Sequence, residues 1–164
     1  MIKQKETKNL EKENKVELSK PTYYHAVGRR KEAAARAYLY VLANEQSLTL
    51  KGKTYEKGQI VVNDRPVESY FPGESAKHQY LEPFRTTNTL NRFVTIISVE
   101  GGGLLGQLMA VIHAVSRALI RVDEIKNRPI LKKRGFLTRD PRTKQRRKAG
   151  FAGKARKKKQ SPKR

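Results

Sequence analysis

The strongest constraint on this fold is the charge of the last 33 residues. Residues 132–164 carry 16 Lys and Arg side chains against one acid, Asp140, whereas the rest of the chain has a net charge of only +7. Like charges at this density repel one another, and the segment has too few apolar side chains to offset the entropy lost on ordering. We therefore predict a basic, extended tail over 132–164, disordered in isolation, and a globular domain over 22–131.

The N-terminal segment also lacks the composition of a folded core. Residues 1–21 alternate Lys with Glu and contain few apolar residues, which predicts a flexible extension that Pro21 closes. The segment has no apolar h-region, and its glutamates argue against a transit peptide, so we expect a cytoplasmic protein. Cysteine is absent and the three histidines lack metal-ligand spacing, so we expect no disulfide, no metal and no other cofactor.

The overall charge indicates a polyanionic partner. The chain has a net charge of +22 and an isoelectric point of about 10.4, values typical of proteins that bind nucleic acid. A membrane surface is the competing partner. However, the tail lacks an amphipathic apolar face, and no apolar run approaches the roughly 20 residues needed to span a bilayer. We therefore expect contact with nucleic acid.

Hydrophobic periodicity predicts a mixed α/β domain. Residues 23–99 are mostly extended, with a turn at Asn63-Asp64, although the alanine run at 33–35 would also suit a helix. NRFVTIISV is the clearest strand and is predicted to be buried on both faces. The other extended segments are YYHAVGRRKEAAARAYLYVL, SLTLKG and KTYEKGQIVVNDR, and short helices are predicted in VESYF and SAKHQYLEPF.

A long amphipathic helix follows the clearest strand. His113, Arg117 and Arg121 lie four residues apart on one face; we interpret His113 as a boundary residue, while the two arginines face either solvent or phosphate. A second helix is predicted from about Val122 to Lys133, ended by Gly135. The apolar side chains of the long helix step by three and four and form one stripe, assigned to the core: Leu105, Leu108, Ile112, Val115, Leu119 and Val122.

The loop before the long helix carries a nucleotide-binding pattern. Gly101, Gly103 and Gly106 have the spacing GxGxxG, and Asp123 lies 20 residues past Gly103, where a dinucleotide fold places its ribose-binding acid. However, no second parallel strand is predicted after the helix, and no Gly-Lys-Ser/Thr follows the glycines. We therefore predict that Gly101, Gly102 and Gly103 form a tight structural connection from strand to helix.

The first basic candidate segment is GRRKEAAAR, residues 28–36. It places cations near the start of a predicted strand, with Arg29 and Lys31 on one face and Arg30 on the other. Nearby tyrosines and small alanines would let an RNA backbone approach closely. We therefore favour RNA contact over a solvated face for this segment.

The tail is the second candidate, because phosphates would turn its self-repulsion into attraction and release condensed counterions. Phe136 and Phe151 could stack on unpaired bases, although Phe136 could equally cap the helix packing. The alternative for the tail is a solubilising segment or a localisation signal. The predicted RNA contacts of the two segments and the long helix are Arg29, Arg30, Lys31, Arg36, Arg117, Arg134, Arg139, Arg142, Arg146, Arg147, Lys148, Lys154, Arg156, Lys157, Lys158 and Lys159.

Five motifs occur in the order typical of one family. They are GRRKEAAAR, GQIVVNDR with Tyr70 and Phe71, EGGGLLGQ with its helix, GFLTRDPR with the downstream RRKAG, and GKARKKK with a terminal KR. From about Tyr23 to Arg164 the chain resembles the small-subunit ribosomal protein nine family in its bacterial form. In that family the triple glycine is a structural connection and binds no nucleotide.

The resemblance implies an α/β (α+β) two-layer sandwich with a left-handed βαβ crossover, like domain two of ribosomal protein S-five, plus a long basic C-terminal extension. It implies a structural protein, not an enzyme, seated on ribosomal RNA beside other proteins in the head of the small subunit. The extension reaches the peptidyl site, where the family's final Lys-Arg pair, Lys163 and Arg164 here, contacts the anticodon stem-loop of the bound tRNA. The alternatives are a free RNA-binding or chaperone-like protein and a nucleotide-dependent kinase or dehydrogenase.

The sequence departs from the family in three places. The common ending Gln-Phe-Ser-Lys-Arg is Gln-Ser-Pro-Lys-Arg here, so an aromatic contact is missing and Pro162, after Ser161, is expected to redirect the tip. Glu100 stands where a lysine is usual, which removes an expected RNA contact before the glycine loop. The hairpin-like residues from about Ala43 to Lys57 and the N-terminal extension have no counterpart in a minimal member.

Overall fold

The computed structural model describes residues 22–42, 47–50 and 52–146. The N-terminal extension, residues 1–21, and the tail from residue 147 onward therefore lie outside the described residues. In chain order the elements are β1 (Tyr23–Arg30), β2 (Ala33–Val41), β3 (Ser47–Leu50), β4 (Lys53–Glu56), β5 (Ile60–Val62), β6 (Arg65–Pro66), α1 (Val67–Tyr70), α2 (Glu74–Thr86), β7 (Phe93–Glu100), α3 (Leu104–Val122) and α4 (Glu124–Lys133).

Five of the strands form one mixed sheet in the order β1-β2-β7-β5-β6. All neighbours are antiparallel except β5 and β7, which run parallel and are joined through α1 and α2. The predicted α1, α2, α3 and α4 are all confirmed, with α4 starting two residues later than expected. A mixed sheet with helices is consistent with the expected α+β sandwich, whereas the left hand of the crossover stays a prediction.

Strands β1 and β2 form a hairpin, so the segment 23–42 that was predicted as extended reverses direction at its centre. Lys31 has a positive φ of 52° and lies with Glu32 in the turn, where the chain reverses. The alternation of side chains along β1 therefore ends at Arg30, and it does not place Lys31 on the same face as Arg29. The alanine run belongs to β2 and not to a helix.

The alternating residues of this hairpin bring it close to helix α3. Ala33, Ala35 and Ala37 of β2 are almost fully buried in the main core, which also contains one face of α3. These small side chains admit the helix, which corrects the expectation that they admit an RNA backbone. The closest approach is at Gly28 of β1, where a Cβ atom would overlap the carbonyl oxygen of Ala110 and the backbone of Ala114.

Helix α3 is the central helix of the domain. Its 19 residues are long and apolar enough to cross a membrane, so the expectation that no apolar run approaches that length is wrong; half of the helix is buried in the core, as in a folded domain. The predicted stripe is buried or half-buried except at Leu105, which is 74% exposed. The prediction fails there because Gly106, not Leu105, faces the sheet in the first turn, next to Ala33.

The β3–β4 hairpin packs on the opposite face of the sheet. This hairpin was expected from the hairpin-like residues 43–57. Its Leu48 and Tyr55 form a second apolar cluster with Val61 and Val94. Strand β7 is therefore buried on both faces only at its start. Ser98 and Glu100 at its end are exposed, which corrects the expectation of burial along the whole strand.

We expect Gly28→Ala to destabilise the domain by about 1–3 kcal/mol or more, because the new methyl group meets helix backbone that cannot move alone. Gly106→Ala is the matched control, since a Cβ there makes ordinary contact at 3.6 Å, and alanine in a helix stabilises by about 0.5–1 kcal/mol. Urea denaturation of both variants measures the two free energies of unfolding. Equal values would contradict the close approach of β1 and α3.

Candidate RNA interface

The glycine loop between β7 and α3 is a structural connection, as predicted. Gly101 and Gly102 have φ values of +71° and +63°, and a Cβ on Gly101 would lie 2.6 Å from the Glu32 carbonyl oxygen. Gly103 has a φ of −110° and open space around its Cβ position, and Gly106 lies in the helix. Glycine is therefore required at the two adjacent positions 101 and 102. The GxGxxG motif would instead require glycine at 101, 103 and 106.

The surroundings of the loop exclude the dinucleotide-binding interpretation. Asp123, the candidate ribose ligand, is the N-cap of α4 and accepts a hydrogen bond from the Lys126 backbone N–H at 3.1 Å. In the part of the chain that the structure describes, α3 leads to α4 and to no further strand. Gln107 Nε2 donates to the Gly101 carbonyl at 3.0 Å, so the chain's own side chain binds the loop.

A side-chain network that the sequence did not reveal joins the loop to the NDR turn. Asn63, with a φ of 46°, bonds both backbone groups of Val99, accepting from N–H at 2.8 Å and donating to C=O at 2.9 Å. The Tyr70 hydroxyl donates to Gln107 Oε1 at 2.9 Å. Residues of two of the five motifs thus meet in one place, and their polar side chains hold the fold together. The turn at Asn63 was predictable, but its partner 36 residues away was not.

Two arginines of α3 cover the exposed edge of the sheet. Strand β1 is an edge strand, and the guanidinium groups of Arg117 and Arg121 donate to the carbonyl oxygens of Val27 and His25. Covering outward-facing backbone groups protects an edge strand from pairing with other chains. A guanidinium has five N–H donors, so each exposed arginine keeps further donors for a ligand.

The start of the tail docks on the same edge. Arg30, at the end of β1, forms an ion pair with Asp140 at 2.8 Å and donates to the carbonyl oxygens of Asp140 and Arg142 at 3.2 and 3.1 Å. Hydrogen bonds from the Arg142 side chain and backbone N–H hold the pKa of Asp140 well below its usual range, and the charge of Arg30 lowers it further. Arg30, predicted to contact RNA, is therefore engaged by the tail.

Residues 134–146 follow α4 along the domain, whereas the expected disorder of the isolated tail stays a prediction. Phe136 packs against the main core, which decides between its two expected roles in favour of helix packing. Arg134 forms an ion pair with Glu82 of α2 at 3.3 Å. Helix α4 also runs through the predicted boundary between the domain and the tail and ends at Lys133.

His113 lies beneath this junction as a half-buried boundary residue, as expected. Burial, and then the charges of Arg117 and Arg139, lower its pKa, while the nearby backbone groups of Leu137 and Arg29 oppose the shift. The net shift favours the neutral form of the ring. Within residues 22–42, 47–50 and 52–146, no group of three or more His, Asp or Glu side chains is placed to bind a metal ion.

The structure distributes the predicted cations over several surfaces. Arg29 and Arg36 lie on the face of the sheet opposite α3, and Lys31 lies in the β1–β2 turn. Arg134 is paired with Glu82, and Arg146 ends the described part of the tail. Five arginines lie together along β1, α3 and the start of the tail and are called the basic edge: Arg30, Arg117, Arg121, Arg139 and Arg142. The remaining predicted contacts that lie outside the described residues are Arg147, Lys148, Lys154, Arg156, Lys157, Lys158, Lys159, Lys163 and Arg164, with Phe151 among them.

We expect Asp140→Asn to release the start of the tail from the domain, because it removes the anion that Arg30 and Arg142 share. Backbone 15N relaxation should show faster motion of residues 139–143. Arg30→Gln should do the same, whereas Arg29→Gln is the control that leaves the segment docked.

Since the folded-state pKa of Asp140 is depressed, the contact should persist above pH about 4 and weaken as the pH falls below that value. A segment that stays rigid in both Asp140→Asn and Arg30→Gln would contradict the assignment.

Comparison with known proteins identifies the family. The profile of the family described as Ribosomal protein S9/S16 matches residues 28–164. The chain is also 42% identical over 131 residues to the small ribosomal subunit protein uS9 of Maridesulfovibrio salexigens, an alignment that covers 80% of this chain and 89% of that protein. The profile match includes the basic edge, the glycine loop and the tail. The chain therefore belongs to the ribosomal protein S9/S16 family and is a structural protein of the small ribosomal subunit.

Proposed function

We propose that this protein binds small-subunit ribosomal RNA in the head through its basic edge and its tail, beside other head proteins, in the cytoplasm. The single observation that carries the proposal is that the tail starts on the basic edge, held there by the bonds from Arg30 to Asp140 and Arg142. The cations of the domain and those at the start of the tail, residues 134–146, thus form one continuous surface. Such a surface can follow an RNA backbone over many phosphates.

The chemistry of the basic edge suits phosphate oxygens. Guanidinium groups bind phosphate through paired N–H donors, and their fork geometry is largely pre-organised. Arg117 and Arg121 are anchored by the carbonyl groups of β1, so binding costs less side-chain entropy than it would for free surface arginines. The edge therefore offers fixed cations, whereas the tail offers many more.

The tail adds affinity through its charge. Residues 147–164 contain nine Lys and Arg side chains and no acid. Each phosphate that such a side chain neutralises releases condensed counterions, so the affinity depends steeply on salt.

The tip of the tail is proposed to contact the anticodon stem-loop of tRNA in the peptidyl site. The support is the family membership together with Lys163 and Arg164, which match the Lys-Arg pair that closes the family's tail. A free RNA-binding or chaperone-like protein would share the charge but not a defined seat on one RNA. Crosslinks in cells that concentrate on small-subunit ribosomal RNA support the ribosomal seat, whereas crosslinks scattered over many RNAs contradict it.

Truncation after Arg146 removes the nine cations and keeps every described element of the domain. We expect a folded protein that has lost most of its affinity for ribosomal RNA, with the slope of log K against log salt reduced by at most about 6–8. Titrations with a head-domain transcript at several salt concentrations measure that slope. Deletion of residues 1–21 is the control, because that segment is of similar length but has a net charge of only +2. A truncated protein with the parent's slope would refute the role of the tail.

Removal of Lys163 and Arg164 tests the tip. Subunits should still assemble, and binding of tRNA in the peptidyl site should weaken by about 1–3 kcal/mol if charge-assisted phosphate contacts are lost. Lys158→Gln with Lys159→Gln removes the same charge elsewhere in the tail and should leave peptidyl-site tRNA in place. Filter binding of tRNA to purified subunits measures both. Equal retention by the truncated and parent subunits would contradict the proposed contact.

A further inference from the structure

The sheet presents a group of aromatic rings on the face opposite helix α3. Odd-numbered residues of β1 and even-numbered residues of β2 share that face, because Ala26 and Ala37 point into the core and the register pairs Tyr23 with Tyr40 and His25 with Tyr38. We call these four residues, Tyr23, His25, Tyr38 and Tyr40, the aromatic face. Nothing in the RNA-binding interpretation of the basic edge uses them.

The rings form a continuous surface and not four separate side chains. The His25 and Tyr38 rings are stacked, with centroids 6.1 Å apart and an angle of 24° between their planes. The Tyr23 ring lies 5.7 Å from Tyr38 and 5.4 Å from Tyr40. Tyr40 and Tyr38 are half-buried, whereas His25 is exposed and Tyr23 is 49% exposed. The half-buried rings thus support the exposed ones.

Cations border the aromatic face along the same strands. Arg36 lies two residues before Tyr38 in β2, so both side chains are on the same face, and its register partners are Val27 and Ser98. Arg29 is the register partner of Ala34. Both arginines are exposed, and neither forms an ion pair with any residue that the structure describes. Glu100, opposite Ala34, is the acid at the far end of this face.

The β3–β4 hairpin covers only one end of this face. It packs at Val94 and reaches Tyr40 and Ile96. Among the described residues, no helix or strand lies over Tyr23 and His25. The solvent-facing surface therefore combines exposed rings with unpaired arginines, and both are groups on which unpaired bases stack.

We propose that the aromatic face is a second RNA contact, which stacks one or two unpaired bases of small-subunit ribosomal RNA on Tyr23, His25 and Tyr38. Arg36 and Arg29 bind the adjacent phosphates. The proposal rests on the proposed function, because it requires that the protein sits on ribosomal RNA. It differs from the basic edge in chemistry, since the rings contribute base stacking.

Substitutions at Tyr38 separate stacking from charge. Tyr38→Leu should weaken binding of a head-domain ribosomal RNA transcript by about fivefold to a hundredfold, the loss typical of one base–aromatic stack. Tyr38→Phe is the matched control, which keeps the ring and should bind like the parent. The salt slope should stay unchanged in both, because no cation is removed. Tyr23→Leu, at the more exposed ring, repeats the test if Tyr38→Leu does not fold.

A fluorescent probe reports on the face directly. The chain contains no tryptophan, so Tyr23→Trp places a single indole on the face, and the bound transcript should quench it. Ile125→Trp, at a 90% exposed position of α4, is the control that should be quenched less. The full chain is used throughout.

The outcomes distinguish this proposal from the proposed function. If the parent binds the transcript with a tail-dependent salt slope, while Tyr38→Leu binds equally well and the indole of Tyr23→Trp is unquenched, the aromatic face is not an RNA contact and the proposed function stands. If the parent shows no preference for the transcript over unrelated RNA, both fail. If the emission of the Tyr23→Trp variant changes only on addition of the other head proteins, or on deletion of residues 1–21, a protein surface covers the face and the proposal is overturned.

Discussion

The close packing of helix α3 on the β1–β2 hairpin is the constraint on which the rest of the structure depends. Gly28 and the buried alanines of β2 leave room for helix backbone at distances that no larger side chain allows. This packing places Arg117 and Arg121 over the carbonyl groups of the edge strand. The same packing turns the other face of the hairpin, with its aromatic rings, toward solvent. One packing contact therefore arranges both surfaces that we propose for RNA.

The junction between domain and tail follows from the same geometry. Arg30 leaves the end of β1 at the point where the chain returns from α4, and Asp140 is the acid that meets it. Asp140, the only acidic residue in residues 132–164, thus fixes where the tail begins on the domain. Because the Asp140 carboxylate is shared by Arg30 and Arg142, its negative charge is neutralised within the junction. The docked start of the tail is therefore part of the basic edge.

Much of the fold was predictable from local patterns. The helices, the β7 strand and the structural character of the glycine loop followed from periodicity and from the missing second strand after α3. Several of the errors share a cause, because they depended on a neighbour distant in sequence. Leu105 is exposed because Gly106 packs beside Ala33 of β2, and the end of β7 is open because the β3–β4 hairpin covers only its start. Likewise, Arg30 could not be known to bind Asp140, 110 residues away.

The sequence by itself determined the division into a core-forming domain and a basic tail, since charge density and apolar content decide which segments can collapse. It also determined the family, because five motifs in order are specific where one glycine pattern is not. Only the tertiary structure decided which cations are engaged and which are free. Alternation along a strand divides its side chains between two faces, but it does not show which face a helix covers. The packing of α3 decides this, and it buries the alanines and leaves the aromatic rings on the open face.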